Sequence, residues 1–355
     1  MDRRCSRRVT LRDVAREAGV AQSTVSHFLN GTAPVSERMR QKILEAVTRL
    51  NYRPNVTARN LKKQRTNALG LFVPDITNPF YGELSRGVAD VARERGYSVI
   101  LYATSYEQTL ERSFVDLVEQ RQVDGVIVSY SFFDENLWGR LLECGIPLVL
   151  VDVYPVNTVW PSVVVNNEKG IELALSYLVS LGHSKIAYLS EPPYVLSLVK
   201  RQRAFLQFVR KKNLPVKDEW ILVEKVQRNR VEIGFELGKK LVGERDIPTA
   251  VVASSDLVAV GVVKAFLSSG VRVPEDISVV GFDDILLASY IHPSLTTVRQ
   301  PKYEMGRIGV EFLVQLIEGK GECPQLTLIE PDLVERNSCL RREVKAETKS
   351  TISVI

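Results

Sequence analysis

The chain is poor in the side chains that staple small proteins or hold metals. Four cysteines among 355 residues, Cys5, Cys144, Cys323 and Cys339, stand far apart without a CxxC pair, and only three histidines occur. A disulfide framework or a Cys/His zinc site is therefore not expected, and no metal is assigned. No run approaches the roughly 18 apolar residues of a membrane helix, and the charged start "MDRRCSRRVT" leads into no apolar export segment. A cytoplasmic protein with no membrane partner is expected. Catalytic signatures are missing as well: GxSxG, HExxH and GxGxxG do not occur, and "GFELGKK" has the wrong spacing for a P-loop. No catalytic residue, no cofactor and no enzyme activity is therefore expected.

The chain does have enough apolar residues, 45%, for a sizeable core, and its length suits two or three domains. Its net charge of +5 is unevenly spread. Residues 1–65 carry 15 Lys/Arg against five acids, while the remainder is acidic on balance. One end is built to meet a polyanion.

That end predicts three helices. In "TLRDVAREAG" Thr10 and Asp13 form a capping-box pattern, Leu11, Val14, Ala15 and Ala18 follow helical spacing, and Gly19 stops the run. In "VAQSTVSHFLNG" Val25, Phe28 and Leu29 share one face, and Asn30-Gly31 ends it. Two short helices around a Gly-containing turn make a helix-turn-helix. The opposite face presents Gln22, Ser23, Ser26, His27 and Asn30, short or planar hydrogen-bonding groups suited to base edges and phosphates. Gln22, Ser23 and His27 are the base-contact candidates, with Ser26 and Asn30 nearer phosphate. A third helix, "SERMRQKILEAVTRLNY", is expected to bury Met39, Ile43, Val47 and Leu50 before Pro54 ends it. The polar, basic stretch from Asn55 to Lys63 is too poor in apolar residues to hold a helix alone, and Leu61 is the only large apolar residue between Thr57 and Asn67.

From Ala68 the pattern changes. "ALGLFV", "YSVILY", "DGVIVS" and "IPLVLVD" read as buried strands alternating with helices, and a second set follows in "SVVVN", "KIAYLS", "WILVE", "TAVVAS" and "ISVVGFD". Two successive β/α sets imply two parallel-sheet lobes, whose ligands collect at the carboxyl ends of strands. "LTTVRQP" and "TLIEPDLVERNS" are expected to cross back between lobes. Of the histidines outside the helix-turn-helix, His183 is read as a structural hydrogen-bonding residue.

"VTLRDVAREAGVAQSTVSHFLNG", "RLNYRP" and "ARNLKK" resemble the headpiece and hinge of the LacI/GalR family of bacterial transcriptional regulators, and the resemblance runs over nearly the whole chain. It implies an α/β protein: an all-α helix-turn-helix headpiece, residues 1–54, a hinge, 55–66, and a core, 67–340, with the two-lobed fold of periplasmic sugar-binding proteins. The expected lobes are 67–160 with 292–322 and 161–291 with 323–340, followed by a tail, 341–355, that lacks a leucine heptad. The implied partners are double-stranded operator DNA, palindromic and read by a homodimer, and a small-molecule effector, most simply a carbohydrate. A nucleoid location follows. Carried over, the DNA-contact set is Thr10, Gln22, Ser23, Thr24, Ser26, His27, Asn30, Asn55, Ala58, Leu61 and Lys62. Leu61 takes the place of the leucine that wedges into the minor groove at the operator centre, where partial unstacking of a base step is offset by the contacts a kinked duplex allows.

The effector set is Asn78, Phe80, Tyr81, Asp152, Arg201, Ser255, Asp256, Asp283 and Gln300. Three departures from the family pattern bear on it: Val153 stands where an arginine is common, Ala204 where a glycine is usual, and Ser255 where an asparagine amide binds a hydroxyl. Asp152, Arg201 and Asp283 nonetheless suit a polyhydroxylated ligand, since a carboxylate can accept from two adjacent hydroxyls. Asp284 reads as structural. A transport-type solute receptor shares such a core, but the basic helix-turn-helix argues against it.

Overall fold

The structure is a computed structural model that describes residues 9–30, 33–52, 65–105, 107–129, 135–155, 159–226 and 228–342. Residues up to Thr66 form one compact unit and those from Asn67 another.

The first unit contains α1 (Leu11–Ala18), α2 (Gln22–Asn30) and α3 (Glu37–Arg49). The expected capping box closes α1: Asp13 N–H donates to Thr10 Oγ1 at 3.3 Å, and Thr10 N–H donates to Asp13 Oδ2 at 2.9 Å. Gly19, at φ 65°, ends the helix in the left-handed conformation that a side chain would strain. Val14, Ala15, Ala18, Val25, Ile43, Ala46 and Tyr52 are buried together, with Phe28, Leu29, Val47 and Leu50 packed around them. Met39 departs from the expectation, being 44% exposed. It lies in the first turn of α3, whereas the α3 residues of this small core begin at Ile43, so the helical stripe runs on past the surface it covers.

The second unit is built on two six-stranded sheets. Sheet one contains β1 (Ala68–Val73), β2 (Ser98–Ala103), β3 (Gly125–Val128), β4 (Leu148–Val151), β5 (Ser162–Val165) and β11 (Leu326–Ile329), in the order β11-β5-β4-β3-β1-β2. All its pairings are parallel. Sheet two contains β6 (Ile186–Ser190), β7 (Ile221–Val223), β8 (Ala250–Ala253), β9 (Ser278–Asp283), β10 (Thr296–Arg299) and β12 (Asp332–Val334), in the order β12-β10-β9-β8-β6-β7. Only β12 runs antiparallel to its neighbour.

Helices cover both faces of each sheet. Sheet one is flanked by α4 (Pro79–Glu94) and α12 (Lys302–Glu318) on one side and by α5 (Gln108–Glu119) and α6 (Glu135–Glu143) on the other. Sheet two lies between α7 (Asn167–Ser180) with α8 (Leu196–Lys211) and α9 (Arg230–Val242) with α10 (Asp256–Ser268); α11 (Leu286–Tyr290) is a short helix after β9. The α4–α12 packing is close enough to require glycine, since a Cβ on Gly87 would lie 2.1 Å from the Tyr303 carbonyl oxygen.

The chain crosses between sheets near residues 166, 300 and 330, which differs from the expected lobe boundaries at three strands. β5 and β11 belong to sheet one, not to the second lobe, and β10 belongs to sheet two, not to the first. The physical reason is that the inner strands of both sheets are covered on both faces and the two sheets have the same kind of apolar strand, so hydrophobicity cannot tell one sheet from the other. His183 is buried and bonded to Thr249 Oγ1, the Leu340 carbonyl and Ser278 Oγ, a structural role as expected.

Candidate functional site

In each sheet the strand order reverses once, between β1 and β3 and between β6 and β8, and such switch points open a crevice at the strand carboxyl ends. An open cleft is found there, lined by Asn78, Phe80, Tyr81, Asp152, Glu191, Val195, Ser197, Leu198, Arg201, Arg230, Ser255, Asp283 and Gln300. Eight of the nine effector candidates read from the sequence are brought together in it.

Asn78 follows β1 and caps α4, its Oδ1 accepting from the Phe80 N–H at 3.0 Å. Phe80 and Tyr81 are both buried, edge to face at 5.0 Å between ring centroids. Asp152 follows β4 at φ 61°, and Asp283 ends β9 at φ 124°. Both aspartates therefore hold a backbone conformation costly for a residue with a side chain, a form of strain that clusters at ligand sites. Burial pushes Asp152 up to about 7 despite the Arg201 charge, and burial likewise raises Asp283.

Arg201 is held from several sides. Its Nε donates to Asn167 Oδ1 at 2.6 Å, its Nη1 donates to the Ser254 carbonyl at 2.7 Å and lies 3.7 Å from Asp283, and its guanidinium stacks over Phe282 at 3.7 Å. Gln300 Nε2 donates to Asp283 Oδ1 at 2.7 Å. A planar donor fork and a carboxylate are thus fixed side by side, the combination that orients hydroxyl-bearing ligands.

Asp256 is the effector candidate that does not line the cleft. Its Oδ1 accepts from Thr297 Oγ1 at 2.5 Å and its Oδ2 from the Ile285 N–H at 2.8 Å, and it is fully buried. Burial, with the charge of Asp283, pushes it up to about 7. It ties α10 to the turn after β9 and acts as structure. Asp284 is structural as expected: burial opposes its charge, but hydrogen bonds from Arg299 and Arg336 hold it below the usual carboxylate range.

Sequence reasoning missed Glu191 and Arg230, which form a buried ion pair in the cleft wall. Glu191 is 3% exposed, and its Oε1 accepts from Ser255 Oγ at 3.2 Å. A charge directly after the apolar run of β6, at a strand carboxyl end, could have flagged Glu191. Arg230, in the first turn of α9 behind the Asn229 cap, carried no such signal. The Ser255 hydroxyl also caps α10, accepting from the Val258 N–H at 3.5 Å.

In the first unit Gln22, Ser23 and His27 are exposed along α2, with Thr24 and Ser26 half-buried. Thr10 spends its hydroxyl on Asp13 Oδ2 at 2.7 Å. The Asn30 side chain and Asn55, Ala58, Leu61 and Lys62 lie outside the described residues.

Residues 10–55 match the bacterial regulatory proteins of the lacI family, and residues 175–339 match a periplasmic binding protein-like domain. Among curated proteins the chain is 35% identical over 330 residues to the HTH-type transcriptional repressor PurR of Vibrio vulnificus (strain CMCP6), covering 93% of this chain and 98% of that one. It is 32% identical over 332 residues to the HTH-type transcriptional regulator RegA of Clostridium saccharobutylicum, covering 93% and 99%. A solved lac repressor dimer bound to operator and the anti-inducer ONPF superposes with a TM-score of 0.84 at 28% identity, covering 94% of this chain and all of that one. The transcriptional regulator CelR in complex with cellobiose superposes with a TM-score of 0.70 at 28% identity, covering 93% and 100%.

Proposed function

The chain belongs to the lacI family of bacterial regulatory proteins, which are DNA-binding transcriptional regulators, and from that premise we propose that it represses transcription as a homodimer on a palindromic operator under the control of a sugar or sugar derivative bound in the cleft. The observation that carries the effector half is the convergence of Asp152, Arg201, Asp283 and Gln300, from four separate segments, on one cleft between two sheets. The cellobiose in CelR and the ribose in a family regulator from Enterococcus faecium support a carbohydrate.

The DNA half rests on the basic first unit and on Gln22, Ser23 and His27, exposed together on α2 where a recognition helix meets base edges. Ser26 and Asn30 lie nearer phosphate, Thr10 and Thr24 add to the DNA contacts, and the hinge residues Asn55, Ala58, Leu61 and Lys62 take the minor groove at the operator centre. Pairing of two copies is supported by exposed apolar side chains on α11, Leu286, Leu287 and Tyr290, the last 78% exposed, and by Ile100 and Leu101 on the edge strand β2. Effector binding changes the angle between the two lobes, and with it the spacing of the two hinges on DNA. The protein works in the cytoplasm, on the nucleoid.

Selection of bound sequences from random duplex DNA, repeated with a panel of sugars, tests the whole reading. A two-fold symmetric consensus whose recovery changes with one sugar is expected. Recovery of no consensus, or of one indifferent to every sugar, overturns it.

A further inference from the structure

Most charged groups of the cleft are paired with one another, and two buried acceptors among them are not. Arg230 is paired with Glu191. Glu191 also takes the Ser255 hydroxyl, and Arg201 donates from Nε and Nη1 to Asn167 and the Ser254 carbonyl and lies beside Asp283. Lys302, behind the cleft, serves the Asp283 and Asp284 carbonyls and pairs with Glu83. Among the described residues that line the cleft, two buried atoms are left without a hydrogen-bond partner, Asp152 Oδ1 and Gln300 Oε1. Both are acceptors. The lining holds three carboxylates, Asp152, Glu191 and Asp283, against two guanidiniums, Arg201 and Arg230, so the lining carries one more negative than positive charge once all three are ionised.

A buried carboxylate without a partner is costly, and the cost is removed by a cation brought to it more fully than by a neutral donor. An anionic ligand would add to the negative charge of that lining. We propose that the effector carries a protonated amine, as an amino sugar does, and that its ammonium sits against Asp152 with a donor turned to Gln300 Oε1. An ammonium supplies three donors and one positive charge, which matches both unmet acceptors and the charge of an ionised Asp152. This assignment rests on the carbohydrate-effector reading above and narrows it. It also has a second signature. Burial holds Asp152 near 7, so in the empty cleft it is partly protonated at neutral pH, and an arriving ammonium displaces that proton.

The test uses the full chain and matched ligands: glucose, galactose and cellobiose, each as the neutral sugar, an amino-deoxy derivative and a 6-phosphate. Titration calorimetry in two buffers of different ionisation enthalpy reads affinity and proton release together. On the scaffold that binds, the amine is expected to bind about tenfold or more tighter than the neutral sugar, with proton release, and the phosphate not to bind. Asp152→Asn should bring the amine-to-neutral ratio to about one and abolish the proton release, with its melting curve confirming a folded chain. A neutral sugar binding as tightly as its amine, a phosphate binding at all, or an amine preference that survives in Asp152→Asn overturns this inference alone. Failure of every scaffold in every form overturns the carbohydrate reading and this inference with it.

Discussion

Lys302 Nζ lies 3.3 Å from the Glu83 carboxylate, so a fully buried ammonium in the first turn of α12 meets an exposed acid on α4. The same ammonium donates to the carbonyls of Asp283 at 2.6 Å, Asp284 at 3.0 Å and Gln300 at 3.3 Å. It therefore holds the strained turn that presents Asp283 to the cleft, and does so from the helix that follows the second crossing between sheets.

Lys302→Met leaves those buried carbonyls without their donor, at roughly 1–3 kcal/mol for each group not rescued by water. The urea midpoint of the full chain should fall accordingly. Glu83→Gln should shift it little, because an exposed partner contributes little to stability. A Lys302→Met protein as stable as the wild type would show that the turn holds itself.

Asp152 gives a pH dependence with a defined sign. Its folded-state value is raised to about 7 from 3.8, so its protonated form favours the folded chain. That contribution is fully present below about pH 4 and lost as pH rises to about 7. Between about pH 5 and pH 8 the melting temperature of the wild type should therefore fall more steeply than that of Asp152→Asn. Parallel curves for the two proteins would mean that Asp152 is not desolvated in the empty cleft.

Leu61→Ala should leave the melting of the chain nearly unchanged while weakening operator binding and reducing DNA bending, if the leucine wedges into the base stack. Bending is read by energy transfer between dyes at the ends of a selected duplex. A variant that bends the duplex as the wild type does would return Leu61 to an ordinary packing role.

Strand and helix alternation and most of the cleft were legible because both depend on local pattern. A short apolar run followed by Asn78, Asp152, Ser255, Asp283 or Gln300 reads as a strand ending in a polar group, and parallel sheets gather such ends. Asp256 was misread for the same reason: adjacent residues at a strand end look alike in sequence, but α10 begins between Ser255 and Asp256, sending one side chain to the cleft and the other to Thr297 and Ile285. The Glu191–Arg230 pair was illegible because its partners are 39 residues apart and nothing local joins them. Lys302 was equally hidden, as a lysine after Gln300-Pro301 reads as a solvated charge until the carbonyls it serves are seen. The exposure of Met39 came from tertiary extent: helical spacing gives the direction of a side chain but not whether a neighbour reaches it.

The central claim is that the cleft and the DNA-reading unit are coupled in one molecule, and coupling is measured most directly as operator affinity with and without the cleft ligand. Fluorescence anisotropy of the selected duplex, titrated with the full chain at fixed salt, should show the sugar derivative that binds the cleft changing the operator Kd by about 5–150-fold. By reciprocity the operator should change the affinity for that ligand by the same factor, and Arg201→Ala should abolish both effects. A ligand that saturates the cleft while leaving the operator Kd unchanged would contradict the account.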